Sequence, residues 1–402
     1  MLDKIDSPKM SKLLCLVILM AAVGQMTQTM YVPSISVMSD YFSVPASSMQ
    51  AVMAAYLIPY GISQFIYGPL SDRVGRRPVI LIGLVIFMLG SVLTLMTSNF
   101  TWFLVGSFIQ GLGTGSCGAM ARTITRDCFD GPLLHKANSY VSMGIIFSPL
   151  IAPLLGGFLT QVFNWHMTYV FLLVIGVLVT AIMYFFFFET LPKERRKPEK
   201  TLSSYKVVLS NKHFQGYLFT LLFTFAGVAV YEAALGVLLG GVLKLDSATI
   251  SVLFILPLPG YFIGSALSSL LVKKMSVNTV LYVSVFALLL GALCIVIPGT
   301  AGQVMVNSLV IGGFIYFLGA GILFPAATSA ALMPFPYHAG TAGALLGGTQ
   351  NLAAGLAAMS ASFMSMDDQF NLGGTMLLLA VLTLIFLRQS TKSHHYNTPQ
   401  IS

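Results

Sequence analysis

The chain has 402 residues, of which 56% are hydrophobic and only 8% charged, with a formal net charge of +8. Soluble domains are about 45–50% apolar and about 25% charged, so this composition excludes a soluble enzyme, a nucleic-acid-binding domain and a disordered protein. It fits an all-α polytopic membrane protein.

A helix needs about 20 apolar residues to cross roughly 30 Å of hydrocarbon. In chain order, twelve stretches meet that length with some fraying: about 12–33, 48–70, 78–98, 101–121, 137–162, 167–188, 213–242, 248–272, 277–297, 304–331, 340–364 and 370–388. The seventh and tenth are long and rich in Gly or Ala, and are expected to tilt or bend. A β-barrel would alternate in polarity over segments of about 10 residues; runs such as Phe171–Phe188 do not.

The basic residues test this count independently. With an even number of spans both termini share one side, and that side collects 20 of the 21 Lys and Arg, leaving Lys244 alone on the other. Such a bias marks the cytoplasmic face, so both termini are predicted to be cytoplasmic and the charge of +8 reflects orientation. The first apolar run is too long for a signal-peptide core and lacks an A-x-A-like site, which reads as a retained anchor. Cys15, Cys117, Cys128 and Cys294 are scattered without metal-ligand spacing and read as packing residues. No metal is expected, at the tail histidines His394 and His395 included.

Residues 1–188 form one six-span half and 213–389 the other. They are joined by a basic linker, 189–212, that carries seven basic and three acidic residues, and are followed by a polar tail, 390–402. Two equal halves around one linker suggest a transporter whose halves rock about a central site. No loop is large enough for a catalytic domain. The chain contains no Gly-Lys dipeptide and hence no P-loop, so ATP-driven pumping by this chain alone is not expected. Gly113-Thr-Gly115-Ser-Cys-Gly118 spells G-x-G-x-x-G but lies inside an apolar span, where small residues let helices approach closely.

Two strings carry more. Gly68-Pro-Leu-Ser-Asp72-Arg73-Val-Gly75-Arg76-Arg77 sits between spans 2 and 3. Gly75 permits a tight turn and Asp72 can accept charge-assisted bonds, the parts of a conformational latch. Ser148-Pro149-Leu-Ile-Ala152-Pro153-Leu-Leu-Gly156-Gly157 lies in span 5, where Pro and small residues bend a helix and admit a close neighbour.

The first string resembles the G-x-x-x-D-R-x-G-R-R signature of the major facilitator superfamily. The second resembles the g-x-x-x-G-P-x-x-G-G element of its antiporters, with Ser148 and Ala152 in place of two glycines. The runs from Val23 to Pro33, from Ser63 to Pro69, Met120-Ala-Arg122-Thr, Phe254-Ile-Leu-Pro257 and Ala339 to Ala344 narrow the resemblance to the drug:proton antiporters of the bicyclomycin-resistance subfamily. That resemblance implies a twelve-helix fold in two six-helix halves in the bacterial inner membrane. It also implies export of amphipathic and lipophilic, often cationic, drugs, driven by the proton gradient without a cofactor. Two departures stand out. Relatives often carry an acid midway along span 1, where this chain has Gln25, and the span-4 element R-x-x-Q-G reads Ser107-Phe-Ile-Gln110-Gly111 without its Arg.

Of the 13 acids, Glu232 alone falls inside a span. It follows His213 by 19 residues, roughly 28 Å along a straight helix, which puts it in the outer half of the membrane. An ionisable group at that depth is costly and is a candidate proton carrier. A bound cation would favour its charged form, so drug and proton would compete for one carboxyl. The plain alternative is a neutral Glu that only hydrogen-bonds a neighbouring helix. With one carboxyl, exchange of a proton for a monovalent cation is electroneutral. Arg122, at the inner end of span 4, is open between pairing with Asp127, gating and snorkelling.

A broad-specificity pocket should be apolar and aromatic with few polar groups. Gln25, Gln28, Thr29 and Val32 share a face of span 1, and Tyr56, Tyr60, Gln64 and Tyr67 share one of span 2. Phe225 with Glu232 on span 7 and Phe254 on span 8 complete the candidate set; packing or lipid contact is the competing reading for each aromatic. The expected partners are small amphipathic drugs, protons and membrane lipid, with no nucleic acid and a monomeric chain. A narrow exporter of a sugar or amino acid is the alternative within transport. A membrane enzyme or sensor is the alternative outside it, although one buried Glu without an in-membrane His is a poor catalytic set.

Overall fold

The computed structural model describes residues 7–129, 131–196, 201–335 and 339–394, and among them there is helix and no strand. Each apolar stretch expected from the sequence coincides with a helix or a broken pair. In the first half these are α1 (Ser7–Thr29) with its short extension α2 (Ile35–Phe42), α3 (Gln50–Val74), α4 (Arg76–Met96), α5 (Phe100–Cys128), α6 (Gly131–Val162) and α7 (His166–Phe186). Among the described residues of the linker lies an α-helix that hydropathy did not announce, α8 (Thr201–Leu209). The second half is α9 (Lys212–Gly236), α10 (Ser247–Ile255), α11 (Leu258–Leu271), α12 (Val277–Gly299), α13 (Val306–Leu332), α14 (Ala339–Ser362) and α15 (Phe370–His394). Among the described residues, eight helical segments are long and apolar enough to cross a membrane. The helices α3, α5, α6 and α14 are not among them. Three of these carry the Gln, Ser, Thr and Gly of the interior, which lowers their hydropathy.

Breaks and starts have local causes. Pro33 stands in a 3-10 turn, Val32–Ser34, between α1 and α2, where its missing N–H bends the path. The long seventh segment ends in a π turn, Val237–Val242. The eighth, expected to be continuous, is divided at Pro257 into α10 and α11. Helix starts in the connecting loops are capped by side chains: Asn99 accepts from Thr101 N and Trp102 N, Asn211 from Phe214 N and Asp246 from Ala248 N and Thr249 N, each satisfying donors the helix leaves free.

Small residues set the packing. Where α4 meets α5, a Cβ on Gly90 or Gly113 would strike backbone of the facing helix and one on Gly106 would strike the Thr94 side chain, while one on Gly115 or Gly118 would strike Ser63 or Tyr60 of α3. The G-x-G-x-x-G string is therefore a helix-packing surface. In the second half α13 packs against both α11 and α12, again through glycines, Gly264 and Gly291 among them. The halves meet through α3 against α14 and α6 against α10. Large apolar side chains such as Met96, Phe185, Phe286 and Phe363 stand exposed on the outer surface, as lipid contact requires.

Candidate functional site

Glu232 lies near the far end of α9, buried, and Gln28 of α1 reaches it from the other half: Nε2 donates to Oε2 at 3.2 Å. Helical register puts these groups there. Gln28 is in the last turn of α1 before the 3-10 break, and Gly236, one turn beyond Glu232, lets Val32 and Ile35 come down on α9. Next to the carboxyl, Tyr231 turns away and donates to Leu309 O at 3.0 Å. Tyr31, buried on the first half, is within electrostatic reach of Glu232, and the buried hydroxyl of Thr29, one residue after Gln28, has no hydrogen-bond partner among the described residues. Thr29 was among the candidates from the sequence. Tyr31 was not, because one Tyr among 16 in the chain carries no signal of its own.

The span-2 tyrosines form a wall in the first half. Tyr56 donates to Gly24 O at 2.7 Å and lies 2.8 Å from Thr114 Oγ1, and it stacks on Tyr60 with centroids 5.7 Å apart. Gln25 is half-buried and faces Tyr60. Gln64 is buried close to Gly118 and Gly347, between α5 and α14. Val32 is fully buried against Gly236, so it seals the two halves together. In the second half Phe254 is buried. Phe225 does not share the Glu232 cluster; it meets Phe324 edge-on at 6.0 Å, and Phe324 in turn meets Tyr261 at 6.0 Å. Phe324 and Tyr261 were not singled out from the sequence, though each stands within two residues of a proline (Pro325 and Pro259).

At the end where α1 begins, the Asp72 string is an ion network around one buried arginine. Arg76 Nη1 bonds Asp72 Oδ1 at 2.5 Å and Ser71 Oγ at 2.6 Å, and its Nε bonds Asp127 Oδ2 at 2.8 Å. Glu189 then caps α4: Oε1 accepts from Arg76 N at 2.8 Å and Oε2 from Arg77 N at 3.3 Å, with Arg196 Nη2 3.6 Å away. Gly75 makes this possible. Its φ of 107° is left-handed territory, and a Cβ there would strike Glu189 and Arg196. Arg77 lies over the Tyr184 ring and donates to Tyr184 O. Arg73 is exposed, and Gly68 faces open space.

Asp127, one of the partners considered for Arg122, is thus taken by Arg76. Arg122 instead donates to Gly343 O at 3.1 Å, across the interface in the second half. Neither Asp127 nor Glu189 is flagged by periodicity, since Asp127 sits at the end of α5 and Glu189 beyond the end of α7, both far along the chain from Arg76.

The opposite end is closed by the span-5 string. Ser251 of α10 donates to Pro153 O of α6 at 2.9 Å. Gly157 lies against Ser247 and Ser251, and Gly156 against Met30 O. Pro149 lies on α6 with its side chain outside the described residues. A Gly157→Val variant should hold α6 and α10 apart. With a cysteine placed at Ser251 in a background lacking the native cysteines, labelling by a small aqueous thiol reagent should rise several-fold over the Gly157 parent.

Comparison with known proteins places the chain among transporters. A family model described as Major Facilitator Superfamily matches residues 17–358. The chain is 44% identical over 388 residues to Multidrug resistance protein D of Escherichia coli (strain K12), covering 96% of this chain and 98% of that protein. It is 24% identical over 366 residues to the Bicyclomycin resistance protein homolog of Haemophilus influenzae, covering 89% and 91% respectively. Among solved structures, a partially occluded inward open xylose transporter XylE from E. coli aligns with a TM-score of 0.74 at 13% identity, covering 98% of this chain and 99% of that one. That similarity concerns the fold alone.

Proposed function

The chain belongs to the major facilitator superfamily, and from that premise we propose that it is a proton-coupled exporter of amphipathic and lipophilic, often cationic, compounds. It is a multi-pass membrane transporter and not an enzyme. The drug class comes from the relatives named for multidrug and bicyclomycin resistance. The observation that carries the proton reading is the Gln28–Glu232 contact: a buried carboxyl at the junction of the halves, held by a neutral amide from the opposite half.

A carboxyl in a water-poor site is costly to ionise without a compensating charge. When the halves part, Gln28 leaves and Glu232 is bared to water. A proton or a cation then occupies the carboxyl, each excluding the other, and the aromatic wall of Tyr56 and Tyr60 offers a lipophilic cation about 0.5–2 kcal/mol per ring when desolvated. The Ser251–Pro153 and Arg122–Gly343 contacts lie at opposite ends of the interface between the halves, so alternating access breaks one set at a time. In this reading the basic end faces the cytoplasm of a bacterial inner membrane and the chain works as a monomer.

One carboxyl exchanging a proton for a monovalent cation moves no net charge. In energised everted vesicles, uptake of a lipophilic monoamine cation should collapse with nigericin, which removes the pH gradient, and persist with valinomycin and K⁺, which remove the voltage. Collapse with valinomycin would contradict the one-carboxyl scheme. A competition profile confined to one sugar or amino acid would point to a narrow exporter instead.

A further inference from the structure

The two halves treat one equivalent place differently. In the first half the crevice at the start of the third long helix is plugged by Arg76, bonded between Asp72 and Asp127. In the second half the third long helix, α12, begins at Val277, and the same crevice is an open cavity of about 860 Å³. Three residues before the helix cap, Asp72 precedes Gly75 in the first half, whereas Lys273 precedes Ser276 in the second. A plug and its counter-ion have been exchanged for a void with a cation at its mouth.

The lining has a definite chemistry. Tyr217 is buried at the floor, Ser268, Ser269 and Ser329 stand on the walls of α11 and α13, and Asn278 and the exposed Lys273 lie at the mouth. Among the described residues no Asp or Glu lines the cavity or pairs with Lys273. The first turn of α12 adds the positive end of a helix dipole. Val272, Val277 and Met333, also on the lining, are exposed to the outside. The apolar segments α10–α11 and α12 end and begin at Leu271 and Val277, so the mouth lies level with the edge of the hydrocarbon. A single cation, several hydroxyls and an amide, beside apolar side chains at that level, match a phosphate ester carrying acyl chains.

We propose that this cavity seats the headgroup of an anionic phospholipid from the leaflet at the basic end. The phosphate lies against Lys273 and the serine hydroxyls, and the acyl chains run along Val272, Val277 and Met333. The site is separate from the Glu232 junction and stands whether or not Glu232 carries protons. Bound lipid would brace α11, α12 and α13, as Arg76 braces α3, α4 and α5.

The full-length protein purified in a neutral detergent would be titrated with dioctanoyl phosphatidylglycerol, dioctanoyl phosphatidylcholine or glycerol 3-phosphate while the thermal unfolding midpoint is followed. Phosphatidylglycerol should raise the midpoint saturably and phosphatidylcholine should not. Lys273→Glu should weaken half-saturation by about tenfold or more, as loss of a cation near an anionic lipid implies, and Lys273→Gln should weaken it less. Lys274→Glu, one residue outside the lining, should behave as the parent. Ser329→Trp fills the void with Lys273 intact and should remove the shift. Equal shifts from the two lipids, or an unchanged response in both Lys273 and Ser329 variants, would overturn the site. A full shift from glycerol 3-phosphate alone would overturn the lipid assignment in favour of a soluble phosphate compound.

Discussion

Replacing Arg76 by alanine should lower stability by about 3 kcal/mol or more, the cost of leaving one partner of a buried ion pair behind. The penalty falls mainly on Asp127, whose side chain is 13% exposed, because Asp72, at 47%, can rehydrate. The thermal midpoint of the purified protein measures the effect. The pairing account makes a second, sharper statement: Arg76→Met with Asp127→Leu should recover much of the loss, since an apolar pair of similar volume removes the stranded charge. Transport should stay impaired in both variants, because the apolar pair restores packing without a network that can break and re-form. If Arg76→Ala unfolds at the parent temperature, the plug carries no weight.

The second large effect concerns Glu232. If proton and cation share its carboxyl, the apparent affinity for a lipophilic cation should fall about tenfold for each pH unit on the acid side of its titration, where one proton must leave for each cation bound. Glu232→Gln, which keeps the shape and the contact with Gln28, should bind the cation weakly and flatten the profile. A neutral drug should show little of this pH dependence in the parent. A profile as steep in Glu232→Gln as in the parent would place the exchanging proton elsewhere.

Much of this molecule was legible in the sequence because a membrane is a demanding solvent. Hydropathy must be satisfied along every crossing, so the helices α4, α7, α12 and α15 could be read from composition alone. A lone acid inside a span is costly enough to stand out, and Glu232 did. What hydropathy reports is solvent, however, and not partners. Arg76 finds Asp127 across 51 positions and Arg122 finds Gly343 across 221; such pairs join helix ends, where no periodicity operates. The division at Pro257 and the π turn after Gly236 are local backbone choices inside segments whose apolar pattern is unbroken. The aromatic trio of Phe225, Phe324 and Tyr261 was hidden for a related reason: with 29 Phe and 16 Tyr in the chain, an aromatic residue alone carries little information.

The central claim is that Glu232 carries the proton exchanged for drug, and one measurement bears on it most directly. Everted vesicles loaded with acid would receive a lipophilic cation such as benzalkonium while proton release is followed, with parent and Glu232→Gln at matched expression. Drug-evoked release from the parent that disappears in Glu232→Gln is the predicted result. Equal release from both would contradict the role of Glu232 and leave the antiporter with another proton site, whereas silence from both across several compounds would contradict drug:proton exchange itself.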